Sequence, residues 1–393
     1  MSNMHTAGHM APSLRWKLRP PGPGGYRLFA SARSIQRAPL QFLTELTRTY
    51  GDIAFVRFLV WPVYVVNHPD FIKQILQEHH RSYNKDNFDY RLLRPLLGKG
   101  LLTNDGVSWL HQRRLIQPTF HRQRLVAFGS LMTAATLAML ERWERCAERS
   151  EVLDVSAEMM RLTLRIIGQA LFSLDLSAQA NTVGQALRSA NDYLCAPFPP
   201  LFVPTPLNRR LQAALRRLDA LVYDLITTRR QSQQDTSDLL SVLLAVRDEE
   251  TGEGMHDRQI RDEVITLLLA GHETTAMALS WTWYLLAQHQ ECEHRLHAEV
   301  DAVLGGRLPT VEDLPNLPYS RMVLEESLRL YPPAWSFSRN ALADSGPRCT
   351  RWRCMRLPHT PFWARGFASD GWRLRPGQCV ARSGRFPGCV PQV

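Results

Sequence analysis

Apolar positions recur three and four residues apart over most of the chain, and that spacing predicts helices. PLQFLTELTRTYG (39–51) reads as an amphipathic helix stopped by Gly51. In DIAFVRFLVWPVYVVN (52–67) the pattern changes to β-branched and aromatic runs broken by Pro62, which predicts a hairpin. HPDFIKQILQEHH (68–80) returns to helix. From about 105 to 330 nearly every segment has the helical period, including VAFGSLMTAATLAMLERWERCAER, SAEMMRLTLRIIGQALFS, NTVGQALRSANDYL and RRLQAALRRLDALVYDLITTRRQ. The proline-rich APFPPLFVPTPLN (196–208) reads as a loop between helices. A long helix is predicted from about Asp257 to His289, apolar all round in its middle and therefore buried. The expected fold is mainly α, with a small N-terminal β-hairpin region.

Composition divides the chain into three. Residues 1–25 are polar and end in PPGPGG, which continues neither helix nor ladder, so a flexible N-terminal segment is expected there. Residues 26–344 form the helical domain. Residues 345–393 are irregular and rich in Arg, Pro, Gly and Cys; after Asn340 there is no Ile, Tyr, Lys, Glu or Asn, and no core can be drawn from that composition. The formal net charge of +10 is concentrated there, because residues 341–393 hold nine arginines, no lysine and two acids, Asp344 and Asp370. The high pI is therefore no argument for a nucleic-acid partner. Four of the seven cysteines (Cys349, Cys354, Cys379, Cys389) also lie in the tail, and the scatter of the others is no disulfide framework. No N-terminal stretch has the length and hydrophobicity of a membrane anchor, which makes the expected location cytoplasmic.

The chemistry sits inside the long apolar run, in VITLLLAGHETTAMALSWTWYLLA (264–287). His272-Glu273 starts a zinc-protease pattern, but the second His would fall at Ala276, so that reading fails. What remains is a glycine, an acid and two alcohols on a core helix. Gly271 lacks a side chain, so a flat group could approach the backbone. Thr274 can bond back to a carbonyl, and Glu273 with Thr274 is a plausible proton relay. The bland alternative is a helix with a few satisfied polar groups. Two further patterns stand beside it. GVSWLHQRRL (106–115) places Trp109 and Arg113 one helical turn apart, and EESLRLYPP (325–333) holds Glu326 and Arg329 in an E-x-x-R arrangement, followed by Arg339 in SFSRNA. Each alone is ordinary, since an i,i+3 ion pair is usually a solvated helix contact.

Together, in this order, these motifs resemble the cytochromes P450, the haem-thiolate monooxygenases, over about Pro20 to Asp344. The resemblance implies haem as cofactor. Ala270 and Gly271 would form the surface over the iron, and Glu273 and Thr274 would be the catalytic proton-delivery pair. Trp109, Arg113 and Arg339 would meet the haem propionates, while Glu326 and Arg329 would be structural. It also implies hydroxylation of a lipophilic small molecule with O2 and two electrons from a ferredoxin or flavoprotein reductase, with Phe88, Tyr90, Phe198 and Phe202 in pocket-lining segments. His272 has no implied chemistry and reads as packed or hydrogen-bonded locally.

One piece departs from the family pattern. The axial cysteine of the family lies in an F-x-x-G-x-R-x-C-x-G loop, and nothing after Arg329 spells it. GRFPGCVPQV, with Cys389, is a faint echo, and Cys349, Cys354 and His359 have poor zinc spacing. No metal-ligating residue is therefore assigned. The tail has the composition of a shifted GC-rich frame, so a truncated or frameshifted chain is one expectation. A catalytically dead remnant is the alternative function.

Overall fold

The computed structural model describes residues 20–24, 38–58, 61–120, 122–176, 180–195, 200–232, 238–247 and 252–342. The tail beyond 342, the N-terminal residues 1–19, and the expectations that fall on them lie outside these. The chain divides into two compact units, one of residues up to Tyr83 together with Ala341 onward, the other from Asn84 to Asn340.

In the first unit, helix α1 (Pro39–Tyr50) starts on a proline, whose missing N–H costs nothing at a helix N-terminus, and ends at Gly51, whose N–H donates to Thr47 O. Strands β1 (Ile53–Phe58) and β2 (Trp61–Val66) form the expected antiparallel hairpin, Ile53 opposite Val66 and Arg57 opposite Pro62. In a two-stranded ribbon both strands are edges, which is where a proline is tolerated. Leu46 from α1 and Ala54 and Val56 from β1 make the small core. Of the N-terminal segment, residues 20–24 run beside β1, where the Phe55 N–H donates to Pro21 O at 2.9 Å. Helix α2 (Pro69–Lys73) is capped by His68 and continues as one wider turn to Glu78.

The described residues of the second unit are mainly helical. Its elements are α3 (Phe88–Leu97), α4 (Gly106–Ile116), α5 (Arg122–Glu148), α6 (Val155–Phe172), α7 (Ala180–Cys195), α8 (Pro206–Ser232), α9 (Leu239–Ala245), α10 (Asp257–Gln288), α11 (Gln290–Leu304) and α12 (Pro318–Leu330). Helix α8 begins at Pro206, inside the stretch read as loop; proline suits a first helical turn, and the preceding turn is tied down by Asn208 Nδ2 donating to Pro200 O and Val203 O, both at 2.8 Å. Short strands β3 (Tyr83–Asn84) and β4 (Asn340–Ala341) pair, with Asn340 Nδ2 donating to Asn84 Oδ1 at 3.1 Å.

Helix α10 is the axis of this unit. It holds 32 residues, about 48 Å at 1.5 Å of rise per residue. Ile260, Val264, Ile265 and Leu268 pack with Leu164, Leu171 and Phe172 of α6 and with Leu211, Leu218 and Val222 of α8. Ala276 joins a second cluster with Met139 of α5 and Met159 and Leu162 of α6. Burial of such aliphatic side chains contributes roughly 1.5–3 kcal/mol each, which is what holds one helix against three neighbours.

Candidate active site

The first half of α10 is sealed: every residue from Ile260 to Thr266 is buried. The seal breaks at the motif. Ala270, Thr274 and Thr275 are exposed, Gly271 and Glu273 are half-buried, and His272 is buried. The sequence reading of a helix buried all round is therefore corrected, for the i,i+4 pair Ala270 and Thr274 forms an open strip. Thr274 Oγ1 donates to Ala270 O at 2.6 Å, the back-bond expected from the sequence. His272 Nε2 lies 3.0 Å from Met160 O on α6, and burial pushes the imidazole pKa down, so the ring is neutral and anchors the helix. Gly271 turns toward α6 as well. A Cβ there would lie 2.9 Å from Ile167 Cδ1, so its missing side chain serves helix packing and does not open the strip. The small residue on the open strip is Ala270.

A second feature is a cluster of cations on an aromatic base. The Arg113 guanidinium lies 5.2 Å from the Trp109 ring centroid, so the predicted one-turn pair does share a face. The Lys85 ammonium lies 5.1 Å from the same ring. Arg339 donates to Tyr90 Oη at 2.7 Å and sits 5.9 Å from the Tyr90 ring and 5.7 Å from Phe337. Among the described residues none of the three cations has a carboxylate within ion-pair distance. Lys85 is pushed down to about 8, first by burial and then by Arg339, with Arg113 adding to the effect and Asp105 and Glu263 opposing it. Three cations gathered with no carboxylate in ion-pair contact among the described residues suit an anion.

The loop between α3 and α4 ties these features together. Asp262 accepts the Lys99 N–H at 2.8 Å, and Glu263 accepts the Leu101 N–H at 2.9 Å. Gln112 donates to Lys99 O at 2.8 Å, and Lys85 Nζ donates to Leu101 O at 3.1 Å. Asp105 accepts the Lys85 N–H at 2.5 Å. The loop approaches α10 so closely that a Cβ on Gly100 would lie 2.1 Å from Thr266 Oγ1, and one on Gly98 2.1 Å from Asp262 Oδ1. Asp262 is balanced by Arg261, at 2.8 Å, which also binds Asp219. Glu263 is fully buried and its Oε1 has no partner, so desolvation pushes its carboxyl up to about 7 against the opposing Leu101 N–H bond.

The E-x-x-R pair is present as a fork, with Arg329 Nε and Nη2 donating to the two Glu326 oxygens at 2.6 and 2.5 Å. The Arg329 and Glu326 side chains are 40 % and 36 % exposed among the described residues. Of the aromatic residues expected along a substrate pocket, Tyr90 is buried and bound to Arg339, Phe202 is 83 % exposed, and Phe198 lies outside the described residues. Sequence reasoning missed Lys85, Asp262 and Glu263. The two acids were visible as DE at the head of the apolar run; Lys85, in an ordinary polar stretch, carried no signal.

These residues can be tested against a haem. Its two propionate carboxylates suit the Lys85, Arg113 and Arg339 cluster, and its flat face suits the small, open Ala270–Thr274 strip. The two cysteines with described side chains are Cys146 on α5 and Cys292 on α11, the latter in contact with Tyr319. Neither belongs to the residues of the strip or the cluster. The described residues thus fit the carboxylates and one face of the porphyrin, and the axial sulfur is not among them.

The larger unit thus carries an exposed alcohol beside a half-buried acid on its central helix, and a cluster of cations on an aromatic base. The chain belongs to the cytochrome P450 family of monooxygenases, matching it over residues 20–346, and the cofactor of that family is haem. It is 41% identical over 329 residues to the cyclooctatin synthase of Streptomyces melanosporofaciens, covering 81% of this chain and 69% of that protein. It is 38% identical to cyclooctat-9-en-7-ol 5-monooxygenase of the same species, covering 82% and 70%. It is 36% identical to the pentalenene oxygenase of Streptomyces avermitilis, covering 82% and 71%. Nothing in these relatives supports the catalytically dead alternative. No helix among the described residues is long and apolar enough to cross a membrane.

Proposed function

We propose that this chain hydroxylates a lipophilic small molecule of the terpene class in the cytoplasm, with haem, O2 and two electrons from a ferredoxin or flavoprotein reductase. The observation that carries the reading is the Ala270–Thr274 strip, where the burial of the first half of α10 gives way to exposed positions. The relatives named for cyclooctatin, cyclooctat-9-en-7-ol and pentalenene support the substrate class.

Haem, when bound, supplies the activation of O2 for inserting one oxygen atom into a C–H bond. The protein's part is positioning and proton delivery. Ala270 keeps the strip low enough for a flat group, and Gly271 lets α6 pack behind it. The Thr274 hydroxyl, now donating to Ala270 O, is the group that presents a proton at the strip. Glu273, beside it and half-buried, carries protons from solvent. Trp109, Arg113 and Arg339 hold the carboxylates, and Glu326 with Arg329 stiffens α12.

The test is to supply the full chain with haem, reduce it under carbon monoxide, and then offer pentalenene with isotopically labelled O2 and a ferredoxin system. A thiolate-type Soret band and a product carrying one labelled oxygen are expected. An imidazole-type band with no labelled product would overturn the reading.

A further inference from the structure

We propose that the outward side of α8, together with the turn that precedes it, is a docking surface for an anionic lipid bilayer. The surface itself owes nothing to haem. Only its use, taking up a lipophilic substrate dissolved in the bilayer, rests on the reading of function above.

The charge on α8 is one-sided. From 206 to 218 the helix holds Arg209, Arg210, Arg216 and Arg217 and no acid. The two pairs are seven residues apart, and helix positions seven apart fall within about 20° of one another. The four guanidiniums therefore line one side in two rows, Arg209 with Arg216 and Arg210 with Arg217. The opposite side carries Leu211, Leu215, Leu218 and Val222, all buried in the core. All four arginines are exposed, and among the described residues none is ion-paired; Arg217 donates to Gln185 Oε1 of α7 at 3.2 Å. The far end of the same helix is different, for Arg229 is paired with Asp238 and Arg230 with Asp257. Arginines crowded at helical spacing without acids repel one another, and an anionic surface relieves that repulsion.

An apolar contact sits beside these rows. The turn 200–205 is tied to α8 by Asn208, which donates to Pro200 O and Val203 O, and by Gln212 Nε2, which donates to Leu201 O at 3.0 Å. Gln212 is one helical turn from both Arg209 and Arg216, so the turn and the nearer arginine row are neighbours. The turn holds Phe202 83 % exposed among the described residues, with Pro204 exposed next to it. An acidic protein surface would answer the arginines alone. A bilayer answers both features, its phosphates the guanidiniums and its acyl boundary the phenyl ring. The apolar side of α8 is already committed to the core, so the helix rests on the headgroups and only the turn at Phe202 enters the boundary.

The experiment floats the full chain with vesicles of phosphatidylcholine alone and of phosphatidylcholine mixed with phosphatidylglycerol. Binding to the mixed vesicles only is expected, weakening as salt is raised. Replacing both Arg209 and Arg216 with glutamine should weaken it about 25-fold, about fivefold for each charge, whereas lysine at both positions should keep most of it. Phe202→Ser should weaken binding about tenfold and leave its salt dependence unchanged. Since all three side chains are exposed, the unfolding midpoints should match wild type, which shows that folded variants are being compared. Equal flotation of the glutamine variant would place the lipid contact on other basic residues and overturn the proposal. Binding that Phe202→Ser leaves intact and polyphosphate competes away would mark a surface for soluble polyanions or acidic proteins and overturn it too, as would flotation with neither vesicle. None of these results bears on the haem reading, whose own test is the carbon monoxide spectrum.

Discussion

An acid inside an apolar helix is a charge that the surrounding residues have to answer. Asp262 is answered by Arg261; Glu263 is answered by its own proton. Its folded pKa, about 7, lies above the ordinary glutamate value of 4.5. Between those values the folded state keeps a proton that the unfolded state has released, so stability falls as pH rises across that window. The loss is at most about 3 kcal/mol. Urea unfolding at about pH 5 and about pH 7 should show this slope in wild type and lose it in Glu263→Gln. Lys85 acts in the opposite sense at higher pH, because its folded value of about 8 lies below the unfolded one and stability recovers as pH climbs above it. At the strip, Thr274→Val removes one hydroxyl and its bond to Ala270 O while keeping the shape. The helix should tolerate this within about 1 kcal/mol, since threonine back-bonds add little. Product formed per electron consumed should fall by about a hundredfold, the lower end for losing a proton-delivery group. Equal coupling in the variant would remove Thr274 from that role.

Helix α10 has two regimes within one element. Its first turns are sealed by α6 and α8, and its middle opens on one side while His272 and Gly271 keep the other side against α6. Gly271 is where this division is tightest. Gly271→Leu would drive a side chain into Ile167, and overpacking of this kind costs about 1–3 kcal/mol, measurable as a lowered unfolding midpoint. If the residue instead served only to open the strip, the midpoint would stay and porphyrin binding alone would suffer. The loop between α3 and α4 is an element of the same importance. Its glycines let it lie on α10, and its main-chain donors are taken by Asp262 and Glu263.

Across the larger unit, apolar side chains collect on the surface of α12 and the segment after it. Leu324, Leu328, Leu330, Trp335 and Phe337 are each between 39% and 58% exposed. Leu324 and Leu328 are one helical turn apart on the same face, and exposed apolar surface of that kind promotes association in water. The full chain should therefore self-associate in light scattering, more strongly as salt is raised. Replacing Leu324 and Leu328 with lysine should reduce association without lowering the unfolding midpoint. A midpoint that fell with the substitutions would mean that these leucines are structural, and that the patch is not free surface.

Periodicity and motif spacing carried much of this protein without coordinates. The helix predicted from about Asp257 to His289 is observed from Asp257 to Gln288, and the hairpin lies where the β-branched run and Pro62 placed it. The Trp109–Arg113 contact and the Thr274 back-bond are local, within four residues, so spacing alone implied them. Other features depend on partners far along the chain. Tyr90 meets Arg339, Glu263 meets Leu101, and Gly271 meets Ile167, and no pattern within one segment encodes those meetings. The same distance explains the corrections. A helix that is apolar all round in sequence has an open strip because no neighbour among the described residues covers Ala270 and Thr274, and what covers a surface is a tertiary matter. Side-chain period is set by the geometry of one helix, whereas burial and charge are set by whichever elements fold against it.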